Sequence, residues 1–124
     1  MSTSVVWGFP NPEAVIVEKA IPKYVALISQ SVTNPPIAVV LENTLGSDVV
    51  WTYNSVGEYL GTLTINLDLN KTAVTITNSN LASNGLAAAN VYSTNEVAIY
   101  TTDFTGGSVD GQLGLNVFEI RIYP

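Results

Sequence analysis

The stretch Val49-Val-Trp-Thr-Tyr-Asn54 decides the fold class, because apolar and polar side chains alternate along it. Successive side chains of an extended strand point to opposite faces, so Trp51 and Tyr53 share one face with Val49. The closing stretch Phe118-Glu-Ile-Arg-Ile-Tyr123 alternates in the same way. A period of two predicts half-buried β-strands rather than helices.

The same pattern recurs along the chain, in short β-branched runs separated by turn signals. It predicts about eight or nine strands, the number and spacing of an antiparallel β-sandwich with jelly-roll or immunoglobulin-like topology. The one helical candidate, Leu86–Asn90, is too short to stand alone, so we expect an all-β domain. The strands are expected over Ala14–Ala20, Tyr24–Gln30, Ile37–Glu42, Val49–Asn54, Tyr59–Leu67, Ala73–Thr77, Val91–Ser93, Glu96–Thr101 and Val117–Tyr123.

Length and composition limit both the architecture and the chemistry. The chain has 124 residues, which is close to the commonest size of a single domain. It contains no cysteine and no histidine, which excludes disulfide frameworks, zinc fingers and histidine-based catalysis. No spacing among its ten acidic residues selects a catalytic carboxylate pair. We therefore expect no enzymatic activity, no cofactor and no metal site.

The net charge argues against two classes of partner. Ten acidic residues against four basic ones give a net charge of −6. Nucleic-acid binding depends on lysine and arginine side chains that displace counterions, and an anionic membrane surface attracts the same residues. We expect neither nucleic acid nor a membrane as a partner.

The beginning of the chain carries no recognisable targeting signal. Met1–Pro10 contains no basic residue and no long apolar stretch, so it does not match a secretory signal peptide. The longest aliphatic run, Ile37–Leu41, is far shorter than a membrane span. These features predict synthesis in a cytoplasm without a signal peptide.

Residues 1–22 differ in character from the rest of the chain, which we divide into an N-terminal arm and a single domain over residues 23–124. Prolines punctuate the arm, and Val5, Trp7 and Phe9 form a short alternating apolar stripe. An extended, proline-rich segment with exposed aromatic side chains is typical of an arm that docks onto a partner. The alternative is a first strand that folds against its own domain.

Two acidic segments match a calcium-binding loop only in part. Asp103–Gly111 is acidic and rich in glycine, but its carboxylates lack the spacing of such a loop, so a plain flexible loop is the better interpretation. Asp68-Leu-Asn70 begins like one, yet glycine and glutamate are missing where the motif requires them. A turn stabilised by its own Asp and Asn side chains explains this segment better.

Three aromatic residues offer a stacking platform for a sugar ring: Trp51, Tyr53 and Tyr59. Alternation places Trp51 and Tyr53 on the same face as Val49, which favours packing in the core. A separate candidate surface for oligomerisation or ligand binding comprises residues expected to point outward. These are Tyr92, Tyr100, Glu119, Arg121 and Tyr123.

Several segments of the chain resemble a known group of proteins. They are Tyr24–Ser31, Pro36–Gly46 leading to Val50 and Trp51, Asn70–Thr72 and Phe118–Pro124. Together they resemble short β-rich proteins and terminal domains encoded among the virion-structure genes of tailed phages of Bacteroidetes-type bacteria, including crAss-like phages. The resemblance covers about Lys23 to Pro124, and its most specific part is Leu41–Gly46.

The resemblance implies a non-enzymatic structural role on the phage particle, as a head decoration, a head fibre or a tail component. It implies other virion proteins as partners, location in the virion and, by analogy, a homotrimer, since a closed ring covers open sheet edges. It supplies no catalytic residues. The alternative function is a binding module for a host surface glycan or receptor that uses Tyr92, Tyr100 or Tyr123.

Overall fold

A computed structural model describes residues 20–78 and 85–124 of the chain. These residues form eight strands and no helix. Every strand pairing is antiparallel. The strands are β1 (Lys23–Ser29), β2 (Ile37–Asn43), β3 (Val50–Ser55), β4 (Glu58–Thr62), β5 (Thr72–Ile76), β6 (Gly85–Ser93), β7 (Glu96–Asp103) and β8 (Gly114–Ile122).

The strands form two four-stranded sheets that pack face to face, which confirms the predicted antiparallel β-sandwich. Sheet I has the order β2-β1-β8-β5, and sheet II has the order β3-β4-β7-β6. The first and last strands lie side by side in the centre of sheet I. In an immunoglobulin constant-type domain they belong to different sheets, so the strand order here differs from that topology.

The core lies between the sheets and is built around aromatic side chains. The ring of Phe118 on β8 meets that of Trp51 on β3 edge to face, with centroids 5.0 Å apart. The ring of Tyr24 on β1 approaches Phe118 in the same way at 6.1 Å. Tyr59 on β4 is fully buried. The interpretation of Trp51 as a core residue is therefore confirmed, whereas Tyr53 is only partly buried against the core. Phe118 and Ile120 point inward as the alternation predicts.

The long strand predicted over Tyr59–Leu67 is wrong, because β4 ends at Thr62. Beyond Thr62 the backbone amide of Leu63 donates to the carbonyl of Asn95 at 2.9 Å, in the turn between β6 and β7. The amide of Thr64 donates to Ser47 Oγ at 2.8 Å. Leu63 is buried, so its alternation reflects a loop that packs into the core rather than a strand.

The short helical candidate Leu86–Asn90 lies within β6 and pairs with β7, in agreement with the expected all-β domain. The strand predicted over Val91–Ser93 therefore begins earlier than expected, at Gly85. Ala87 is buried while its neighbours Leu86 and Ala88 are exposed, which is the period of a strand. Pairing with the buried strand β7 overrides the weak helix propensity of a short alanine run.

Two predictions concern residues that the described part of the chain does not include. The strand expected over Ala14–Ala20 lies outside the described residues except for Ala20, which is not in a strand. Val5, Trp7 and Phe9 lie outside them entirely.

No helix in residues 20–78 and 85–124 is long and apolar enough to cross a membrane.

Candidate functional site

The outer face of sheet I is apolar at one end. Leu27 on β1 lies between Val39 on β2 and Val117 on β8, so three apolar side chains form a row across three strands. Val39 is 49% exposed, and Ile37, two residues before it on the same face, is 67% exposed. We call Leu27, Ile37, Val39 and Val117 the apolar face. Contiguous exposed apolar side chains on a sheet mark an interaction surface.

The other end of the same sheet is charged, and its charges are paired. Lys23 Nζ lies 3.6 Å from Glu42 Oε1, which joins β1 to β2. Arg121 donates to Glu119 from Nε at 3.0 Å and from Nη2 at 3.3 Å. The hydrogen bond between Arg121 and Glu119 is the main cause that raises the pKa of Arg121, and a hydrogen bond with Tyr123 is the next largest cause. The two ion pairs leave this end of the sheet nearly neutral.

A groove opens between the two edge strands β2 and β3. It has a volume of about 380 Å³ and is lined by Tyr24, Pro36, Ala38, Val40, Asp48, Val49, Val50 and Trp51. Val40 pairs with the fully buried Ala26, so its side chain lies on the core side of β2, and yet it is 51% exposed. The margin of the core is therefore exposed along this side of the sandwich, although Tyr24 and Trp51 themselves are buried. On the opposite side β5 and β6 approach each other closely.

The structure divides the outward residues that the sequence grouped into one surface. Tyr92 and Tyr100 lie on sheet II, where Tyr100 stands opposite Glu58 of β4. Glu119 and Arg121 lie on sheet I, and Tyr123 follows them at the end of β8. Burial is the main cause that raises the pKa of Tyr100, and the negative charge of Glu58 is the second cause. These five residues form two separate patches rather than one face.

A partly buried polar cluster holds the loop between β7 and β8 against β3 and β4. One carboxylate oxygen of Asp110, Oδ1, accepts from the Tyr59 hydroxyl at 2.7 Å and from the backbone amide of Gly57 at 2.8 Å. The other, Oδ2, accepts from the Tyr53 hydroxyl at 2.8 Å. Gln30 completes the cluster, since its Oε1 accepts from the amide of Gly111 at 2.8 Å. We call Gln30, Tyr53, Tyr59 and Asp110 the polar cluster.

The chemistry of the polar cluster is structural. Burial raises the pKa of Tyr59, and the hydrogen bond of Tyr59 to Asp110 raises it further. The pKa of Tyr53 is raised mainly by the hydrogen bond of Tyr53 to Asp110. Both phenols therefore stay protonated near neutral pH and act as donors rather than nucleophiles. Desolvation raises the pKa of Asp110, but hydrogen bonds from Gly57, Tyr59 and Tyr53 outweigh it and lower the pKa below its ordinary value.

Sequence reasoning missed the polar cluster. Asp110 lies 51 residues from Tyr59, and Gly111 lies 81 residues from Gln30. No local pattern links residues so far apart, because the sheet topology alone brings them together.

In each of the two segments that partly match a calcium-binding loop, the first aspartate accepts hydrogen bonds from backbone amides of the same segment. Asp103 Oδ1 accepts from the amide of Thr105 at 2.9 Å and from the amide of Gly107 at 2.8 Å. The Asp103–Gly111 segment is thus hydrogen-bonded at both ends rather than a plain flexible loop. Asp68 Oδ1 accepts from the amide of Asn70 at 3.1 Å, which confirms the predicted turn. No group of three acidic side chains that could hold a metal ion occurs among residues 20–78 and 85–124.

Replacing Asp110 with asparagine should make the sandwich less stable at pH 7 and less sensitive to acid. The pKa of Asp110 is below 3.8 in the folded protein, so ionised Asp110 stabilises the fold above about pH 4. That stability is lost as the pH falls through the lowered folded-state pKa. Urea unfolding at pH 7 and pH 2.5 checks this. The difference between the two proteins should be largest at pH 7 and smaller at pH 2.5, and a constant difference would contradict the assignment.

The chain matches no family model, no curated protein and no solved structure.

Proposed function

We propose that the chain is a non-enzymatic structural protein of a phage particle that assembles with copies of itself and with other virion proteins. The observation that carries the proposal is the apolar face of sheet I, where Ile37 and Val39 stand exposed on an edge strand. An exposed, apolar edge strand is prone to association, and proteins that remain monomeric usually protect such edges with charge or proline.

The physical chemistry of this face favours burial in an assembly. Removing apolar surface from water contributes roughly 25 cal/mol per Å². The apolar face holds no charged side chain, so its burial carries no cost of desolvating a charge. The charged end of the sheet is already paired internally through Lys23–Glu42 and Glu119–Arg121. Packed against a second sheet, this face would lose apolar exposure without breaking either pair.

The resemblance of the β-rich segments supplies the setting of the assembly, which is the virion. A direct test is mass spectrometry of density-purified particles of the phage that encodes the chain. We expect the chain in the particles at a fixed ratio to the major capsid or tail protein. Detection only in the soluble lysate, with none in purified particles, would contradict the proposal.

Replacing Val39 with lysine in the full chain should weaken self-association at least tenfold. The charge would have to be desolvated at the centre of the apolar face, while half-exposed Val39 contributes little to the fold of the monomer. Sedimentation velocity over a concentration series measures the change. The matched control is Leu86→Lys, which places the same charge at a 50% exposed position of sheet II. Equal association of the Val39→Lys variant and the wild type would exclude the apolar face as an interface.

A second candidate function rests on the outer face of sheet II. Tyr92 is 48% exposed there, Tyr100 stands beside Glu58, and Asn54 Nδ2 donates to Glu58 Oε2 at 3.0 Å. The exposed ring of Tyr92 can stack on a sugar ring, and the carboxylate and amide beside the partly exposed Tyr100 can hydrogen-bond sugar hydroxyls on the same outer face. This favours binding of a host surface glycan. A glycan array probed with the wild-type chain tests the candidate, and the absence of binding at high micromolar concentration would contradict it.

A further inference from the structure

The groove between β2 and β3 has the shape and chemistry of a site for one extended segment. In their sheets β2 pairs only with β1, and β3 pairs only with β4, as far as the described residues extend. Each strand therefore presents one edge of backbone donors and acceptors to the groove. Between these edges lie Ala38, Val40 and Trp51, whose side chains belong to the core side of the sheets. An added strand could bond the edges and cover the core.

We propose that this groove binds Val5–Phe9 of a neighbouring copy of the chain in an extended conformation. The inference rests on the self-assembly proposed above and names the segment and the groove that would mediate it. In this arrangement every copy donates one N-terminal segment and accepts another. The contact is head to tail, so it closes into a ring when the rotation between copies permits.

The pattern of the N-terminal segment fits the groove. Val5, Trp7 and Phe9 alternate with Val6 and Gly8, so in an extended conformation both aromatic side chains would share one face with Val5. The groove offers apolar contact to that face through Ala38, Val40 and other lining residues. Residues 1–12 contain no charged side chain. The segment would therefore bring no like charge to Asp48 at the rim of the groove.

The position where the described chain begins favours a neighbouring copy over the chain's own groove. The amide of Ile122 at the end of β8 donates to the carbonyl of Pro22 at 3.0 Å, and residues 20–22 line one pocket together with residues 122–124. Strand β8 flanks β1 on the side opposite to β2, so the described chain begins on the side of β1 that is remote from its own groove.

The tether is long enough to reach the groove of a neighbouring copy. Residues 10–22 separate Phe9 from β1, and they include Pro10, Pro12 and Pro22. Extended at about 3.1 Å per residue, as in proline-rich segments, they would span roughly 40 Å. Strand β2 has seven residues and is about 23 Å long, so this reach exceeds the length of the groove's edge strand.

Cysteine cross-linking tests the inference in the full chain, which has no native cysteine. Two single-cysteine variants, Val5→Cys and Val40→Cys, are purified separately, and one of them carries a size tag. The two preparations are then mixed and oxidised. We expect a disulfide-linked heterodimer on a non-reducing gel, at least five times more abundant than with the control partner Leu86→Cys. Leu86 is as exposed as Val40 but lies on sheet II.

Each outcome separates the inference from the proposed function. A heterodimer that forms with Val40→Cys and not with Leu86→Cys supports the inference. Wild-type oligomers without this cross-link would overturn it and leave the self-assembly intact. A double variant, Val5→Cys with Val40→Cys, that closes only within one molecule would show that the chain fills its own groove, which also overturns the inference. A monomeric wild type without any cross-link would contradict both proposals.

Discussion

Replacing Phe118 with alanine is expected to lower the free energy of unfolding by about 3–5 kcal/mol, the range for a buried phenylalanine. Phe118 is fully buried, and its ring packs edge to face on both Trp51 and Tyr24. Its register partner on β1 is Ala26, which is too small to fill the space that the ring would leave. The cavity would therefore persist at the centre of the sandwich.

Chemical denaturation at neutral pH measures the effect, with Val117→Ala as the matched control. Val117 is the adjacent residue of β8, but it points outward and is 36% exposed. Its truncation removes surface apolar area rather than core volume, so we expect a loss below about 1 kcal/mol. Equal losses from the two substitutions would show that the inward and outward faces of β8 are assigned incorrectly.

Replacing Gly57 with alanine is expected to cost about 2–5 kcal/mol, from two separate causes. Gly57 has a φ of +69°, a conformation that costs an alanine roughly 1–2 kcal/mol. An added Cβ would also meet the carbonyl oxygen of Thr101, and it would lie 3.0 Å from both Ser108 Cβ and Val109 N. Overpacking of this kind typically costs about 1–3 kcal/mol. The backbone atoms that it meets belong to the segment held by the polar cluster.

The control for Gly57→Ala is Gly46→Ala, which separates the two causes. Gly46 has a φ of +83°, but an added Cβ would meet nothing within 4 Å. This substitution should cost only the conformational term, about 1–2 kcal/mol. Thermal or urea unfolding of both variants checks the difference. If Gly57→Ala were no more destabilising than Gly46→Ala, the close packing of the β3–β4 turn on the β7–β8 loop would be wrong.

The fold could be predicted where local alternation and burial agree. Trp51 and Phe118 alternate with polar neighbours, and both point into the core. The pattern failed at Leu63, whose alternation continues that of β4 although the chain has left the sheet to follow the β6–β7 turn. It also placed the beginning of the sixth strand at Val91, although β6 begins at Gly85, because pairing with β7 extends the strand over a short alanine run.

The candidate site was harder to predict than the fold, for two physical reasons. The run Ile37–Leu41 has no alternation, so nothing in the sequence shows that it forms an edge strand with apolar side chains on both of its sides. The groove exists because two edges of different sheets lie apart, and that separation depends on the order of all eight strands. The pairing of Asp110 with Tyr59 depends on the same order.

The measurement that tests the proposed self-assembly most directly is the solution mass of the full-length chain across a concentration series. Sedimentation equilibrium from low to high micromolar concentration suffices. We predict a defined oligomer with a mass that is a multiple of 13.2 kDa, with the trimer as the expected species. A mass of 13.2 kDa at every concentration would contradict self-assembly through the apolar face and the groove.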